Sequence, residues 1–235
     1  MESKLSLVEH LEELRTRIIK SLIFIVIATC FAYSFVNVIL LSLVKPIGKL
    51  VFIAPHEAFI TRIKISFFVG LFLSSPFVLF EIWKFISLAL KPNEKKYILI
   101  FGPFSLIIFF IGASFGYFIV VPIGIKFLLS FATDVLSPMI TISKYVTFVG
   151  TLVLGFGVIF ELPLAVFFLT EIGLIAPKFL SSKRRHAVVL IFIVAAILTP
   201  PDVITQLLMA LPLLVLYEIS ILFSKFAYQR RKKMI

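Results

Sequence analysis

The chain has 235 residues, 61% of them hydrophobic and only 15% charged, and a formal net charge of +11. A soluble domain is nearer half apolar and a quarter charged, so this composition, with mean hydropathy +1.15, excludes one and requires an integral membrane protein. The basic excess sits at the ends of apolar runs rather than on one folded surface, which points to acidic lipid as partner and not to nucleic acid.

In chain order, the first twenty residues alternate acids and bases, so no cleavable signal peptide is predicted. Ser6 to Arg15 (SLVEHLEELR) reads as an amphipathic helix entering the first span. Leu7, Leu11, Leu14 and Ile18 form one apolar stripe, with Glu9, Glu13, Arg17 and Lys20 on the opposite face. Ser6 and Glu9 match a capping box. Glu13 is spaced to pair with Arg17 at i+4 or to be offered to a ligand.

Six spans are predicted: Ile18–Leu40, Ile65–Leu88, Ile98–Phe118, Phe148–Thr170, Ala187–Leu198 and Ile204–Phe223. The fifth is short, roughly 18 Å of helix against a hydrocarbon core of about 30 Å. The turn Thr199-Pro200-Pro201-Asp202 joins it to the sixth as a tight hairpin, with Asp202 as an N-cap. Pro76, Pro163 and Pro212 free the carbonyls of Phe72, Ile159 and Leu208, so these helices bend, and bent helices favour a concave surface over a straight bundle. The termini, connecting loops and span ends hold 17 Lys/Arg on one side and 6 on the other, which predicts both termini in the cytoplasm.

Among the acids, Glu161 stands in an otherwise apolar run, Gly155 to Leu169 (GFGVIFELPLAVFFL). An ionised group in hydrocarbon costs several kcal/mol unless paired, neutralised or wetted, so Glu161 is a functional candidate. Glu81 is close to Lys84, which neutralises it in the simplest reading. Glu94 lies in the cytoplasmic loop Lys91-Pro92-Asn93-Glu94-Lys95-Lys96, on the same predicted membrane face as Glu13. Two carboxylates on that face suit a ligand with two adjacent guanidinium groups.

The three histidines (His10, His56, His186) are dispersed, Cys30 is the single cysteine, and neither HExxH nor GxSxG occurs. No enzyme activity, metal or cofactor is expected. An ion-coupled small-solute transporter, with Glu161 and Glu218 as a proton relay, is the alternative. The absence of an internal repeat counts against it. A lipid-processing membrane enzyme using Glu161 as an acid ranks last.

The chain resembles the TatC family, the multi-spanning receptor subunits of the twin-arginine protein translocase. The likeness rests on His10-Leu11-Glu12-Glu13-Leu14-Arg15, Ser75-Pro76, Trp83-Lys84-Phe85, Asn93-Glu94-Lys95-Lys96, Phe115-Gly116-Tyr117-Phe118, Phe156-Gly157 with Phe160-Glu161-Leu162-Pro163, and Leu198-Thr199-Pro200-Pro201-Asp202-Val203. It implies an all-α membrane protein, one integral domain over 1–235, with six tilted, partly proline-kinked helices in a concave, glove-like arrangement, N-in/C-in. It further implies that Glu13 and Glu94 hold the paired arginines of a signal peptide, with Arg15 and Phe85 in support. Glu161 would be a polar contact in the groove, toward single-spanning TatA/TatB-type subunits. Self-association in a multi-subunit complex, drive by the proton-motive force and a place in the bacterial cytoplasmic membrane follow, with thylakoid and mitochondrial membranes left open. Asn93 stands where many members have histidine.

Overall fold

A backbone in hydrocarbon finds no water to bond, so each apolar run closes its own hydrogen bonds as a helix. The computed structural model describes residues 7–45, 50–88, 90, 95–133, 139–199 and 203–234. Its helices are α1 (Leu7–Ser34), α2 (Val36–Val44), α3 (Glu57–Leu88), α4 (Lys96–Phe115), a π-helical turn (Gly116–Val120), α5 (Val121–Leu129), α6 (Ile142–Glu171), α7 (Pro177–Ser182), α8 (Arg184–Leu198) and α9 (Val203–Met234). Five stretches are long and apolar enough to cross a membrane: Val8–Ser34, Glu57–Leu88, Ile98–Leu129, Ile142–Glu171 and Val203–Lys232. No strand occurs among the described residues.

The helices overrun the predicted spans because hydropathy marks where lipid begins, whereas helical hydrogen bonding continues into water. Helix α1 starts at Leu7 rather than Ile18, and α3 at Glu57 rather than Ile65. The third span continues through the π-turn into α5, just where Pro122 cannot donate to the carbonyl of Phe118. The predicted loop 119–147 therefore contracts to 130–141. The predicted fifth span falls on α8, which has 15 residues, about 22 Å at 1.5 Å per residue, and is not among the five long apolar stretches. The sixth is not short, since α9 runs for 32 residues. Ser6, the capping-box partner of Glu9, lies outside the described residues, as do Pro200 to Asp202 of the predicted turn and its N-cap.

The chain forms two compact units, Met1–Lys49 with Ala54–Leu106, and Leu50–Ile53 with Ile107–Ile235. In the first, α1 and α3 run antiparallel: Arg17 meets Glu81, Phe24 stacks on Phe77, and Thr29 packs against Gly70. A Cβ on Gly70 would lie 2.3 Å from Thr29 Oγ1, so the glycine is what lets the two backbones approach. The predicted apolar stripe of α1 does not face this contact. Leu11 is 65% and Ile18 49% exposed, while Arg17, Ala28 and Ala32 are buried. Hydrocarbon welcomes leucine as well as a protein core does, so packing in a bilayer is decided by small and polar groups instead. The carbonyl that Pro76 frees is recaptured locally, as the Ser75 hydroxyl donates to Phe72 O at 2.8 Å.

In the second unit, α6 packs antiparallel to the α4–π segment and parallel to α9. Gly112, Gly116 and Gly157 carry the first contact; a Cβ on Gly112 would come within 2.5 Å of Phe156 O. The second is sealed by a buried hydrogen bond of 2.8 Å between the Thr170 and Ser224 hydroxyls. Between α8 and α9, Gln206 Nε2 donates to Phe192 O at 3.0 Å. Gly173 (φ +83°) terminates α6, with Leu174 N–H on Leu169 O and Gly173 N–H on Thr170 O, a Schellman cap. One parallel bridge pairs Val51 with Thr141.

Candidate functional site

The site begins with the heptapeptide Glu9-His10-Leu11-Glu12-Glu13-Leu14-Arg15 at the start of α1. Helical spacing sets His10, Glu13 and Arg17 along one line of that helix, three and four residues apart. The C-terminal part of α3 lies against this line. The Arg17 guanidinium is shared between two carboxylates. One terminal nitrogen pairs with Glu13 Oε1, as the i+4 spacing predicts, and the other with Glu81 Oε2 at 2.5 Å. One turn further on, the His10 and Phe85 rings are tilted against each other, centroids 4.8 Å apart. Trp83, on the other side of α3, is buried and stacks on Phe101.

The expectation that Lys84 neutralises Glu81 is corrected. Glu81 is buried and accepts from Arg17, while the Lys84 ammonium sits 5.8 Å over the Phe80 ring. Arg17 is likewise buried rather than on a solvated face. Both are driven by the same accounting: two charges removed from water must find each other, and removing one partner of such a pair costs about 3–5 kcal/mol. The signal in the sequence was an acid and a base near the same predicted membrane edge, but 64 residues apart nothing in the pattern joins them.

Of the sequence candidates, Glu13 is half-buried, Arg15 is exposed on α1, and Phe85 is half-buried against His10. These three lie in the first compact unit. Glu94, with its neighbour Asn93, lies outside the described residues. Glu161 is half-buried on α6, two residues before the buried Pro163, in the second unit. Glu218 pairs with Arg184 at 2.9 Å, which occupies the second acid of the proposed proton relay.

A profile of the family described as Sec-independent protein translocase protein (TatC) matches residues 9–212. The chain belongs to the TatC family. The TatC protein of Carboxydothermus hydrogenoformans is 47% identical over 232 residues, covering 96% of each chain. That of Aquifex aeolicus is 40% identical, covering 97% of this chain and 98% of its own. A crystal structure of the twin-arginine translocase receptor TatC superposes with a TM-score of 0.87 at 40% identity, over 93% of this chain and 99% of that one. A second TatC crystal structure, in the detergent DDM, gives 0.83 at 39% identity. This TatC-family chain is therefore a component of a Sec-independent protein translocase. Its carboxylate–guanidinium cluster lies at the N-terminal motif by which the sequence resembles that family.

Proposed function

We propose that the chain is the receptor subunit of a bacterial twin-arginine translocase, a multi-pass protein of the cytoplasmic membrane that binds the twin-arginine signal peptides of folded cargo. The observation that carries this is the match over nearly the whole chain to a solved twin-arginine translocase receptor at 40% identity. Glu13 and Glu94 hold the peptide's two guanidinium groups, and Arg15 and Phe85 shape their surroundings. Glu13 suits the role on physical grounds: it is half exposed, and Arg17 occupies only its Oε1, which leaves Oε2 for a second guanidinium.

The chain acts as one integral membrane domain of six spans, α8 being the short fifth, with both termini in the cytoplasm. The Lys/Arg bias of the loops supports that orientation. Glu161 serves assembly with single-spanning TatA/TatB-type subunits in a multi-copy complex, and transport draws on the proton-motive force. Nothing in this role calls for catalysis.

The test is photo-crosslinking of a twin-arginine signal peptide to probes at positions 13 and 94. Strong crosslinks that fall when the peptide's arginine pair is replaced by lysines are expected. Crosslinks unchanged by that replacement at both positions sink the docking role.

A further inference from the structure

Arg17 and Glu81 have no part in the peptide contacts proposed above, yet they touch Glu13 directly or through one guanidinium. Building on that reading, we propose that the Arg17–Glu81 pair is a positioning device that sets the charge and the direction of the Glu13 carboxylate.

The first part of the argument is a charge balance. Glu13, Arg17 and Glu81 are linked in one chain of ion pairs, and together they carry one surplus negative charge. The Arg17 and Glu81 side chains are 9% and 6% exposed, whereas the Glu13 side chain is 36% exposed. The surplus therefore emerges at the only member that a ligand can reach. Without Glu81, Arg17 would neutralise Glu13 outright, and the exposed end would present no net charge to an incoming cation.

The second part is geometry. Arg17 touches each carboxylate through a single terminal nitrogen, and its buried Nε has no hydrogen-bond partner among the described residues. A guanidinium sharing itself in this way saturates neither acid. It does fix Glu13 Oε1, and hence the direction in which Oε2 points. A planar, two-pronged donor such as arginine gains from a carboxylate held in one orientation, while a lysine ammonium, a compact point charge, gains little. Arg17 thus contributes to preference for arginine over lysine without touching the peptide.

The experiment measures binding of two signal peptides to the purified full chain in detergent, one with an Arg-Arg pair and one with Lys-Lys. The protein is wild type, Glu13→Gln, Glu81→Gln, Arg17→Gln or the Glu81→Gln/Arg17→Gln double variant. Glu81→Gln, with net charge zero at the cluster, is expected to weaken both peptides about tenfold, the worth of one charge-assisted hydrogen bond. Arg17→Gln, with net charge −2, binds both at least as tightly as wild type, but its Arg-Arg to Lys-Lys ratio falls severalfold. The double variant returns the charge to −1, so affinity recovers while the ratio stays low. A merely structural role would make the double variant the weakest binder.

Equal affinities and ratios for wild type and Glu81→Gln overturn the inference, as does a double variant weaker than either single one. If Glu81→Gln fails to accumulate, Arg17→Gln and the double variant decide alone, and an unchanged ratio in both overturns the proposal. Wild-type binding that ignores the Arg-to-Lys exchange, or survives Glu13→Gln, instead refutes the docking reading on which this rests.

Discussion

Replacing Gly70 with alanine tests how α1 is held to α3. The new Cβ would stand 2.3 Å from Thr29 Oγ1 and 2.7 Å from both Thr29 Cα and Thr29 N. Ordinary contact needs about 3.5 Å or more, so α1 must retreat by roughly 1 Å. Two of the three obstructing atoms are backbone, and no rotamer change removes them. Overpacking costs about 1–3 kcal/mol, with rigid neighbours at the upper end. Alanine returns at most ~1 kcal/mol of helix propensity, so a net loss of about 1–2 kcal/mol is expected. The retreat also strains the 2.5 Å contact of Arg17 with Glu81 three turns away. The assay is thermal unfolding in detergent followed by fluorescence-detected size exclusion, where that loss lowers the midpoint by about 2–8 °C. Gly102→Ala is the control, because nothing lies within 4 Å of its Cβ, and it should leave the midpoint unchanged or raised. A Gly70→Ala protein melting with wild type refutes the close-approach argument.

Three further outcomes follow from particular contacts. Ser75→Ala orphans the Phe72 carbonyl that Pro76 frees and should cost about 1 kcal/mol; in a Pro76→Ala background, where the helix bond is restored, the same change should cost little, and equal costs in both backgrounds refute the pairing. Gly173→Ala forces a side chain into φ +83° and into the space of the Arg231 guanidinium. It should cost about 1–2 kcal/mol and speed proteolysis of the last turns of α9; an unchanged cleavage rate counts against that. For Glu161, export of a twin-arginine cargo in cells should survive Glu161→Gln better than Glu161→Ala, because the amide keeps a hydrogen-bonding group within α6. Equal loss from the two changes removes the polar-contact role.

The membrane class and the shortness of the helix carrying Ala187–Leu198 were legible in the sequence, because hydropathy and length are local properties that lipid reads directly; of the six predicted runs, five fall on helices long and apolar enough to cross a membrane. Pro76 could be read as freeing a carbonyl, and Glu13 as pairing with Arg17, for the same reason: both are settled within four residues along one helix. The likeness to TatC was legible too, in short motifs whose order the family profile bears out over residues 9–212. The helix ends were not, since helical bonding does not stop where the apolar run does. The α6 cap at Gly173 left only a glycine after a helical stretch as its trace.

What only the tertiary structure decided is which faces look inward. The stripe of Leu11, Leu14 and Ile18 promised a core face on the rule for proteins in water. In a bilayer that rule has no force, since leucine is at home against lipid, and the inward face goes to Gly70, Ala28, Ala32 and Arg17. The same change of solvent explains Glu81. Its partner is not the lysine three residues away, which can stretch toward water, but the arginine 64 residues back that shares its burial. The acids near the membrane edge could be read from the chain, but their charge balance could not, because it depends on which cation the fold buries beside them.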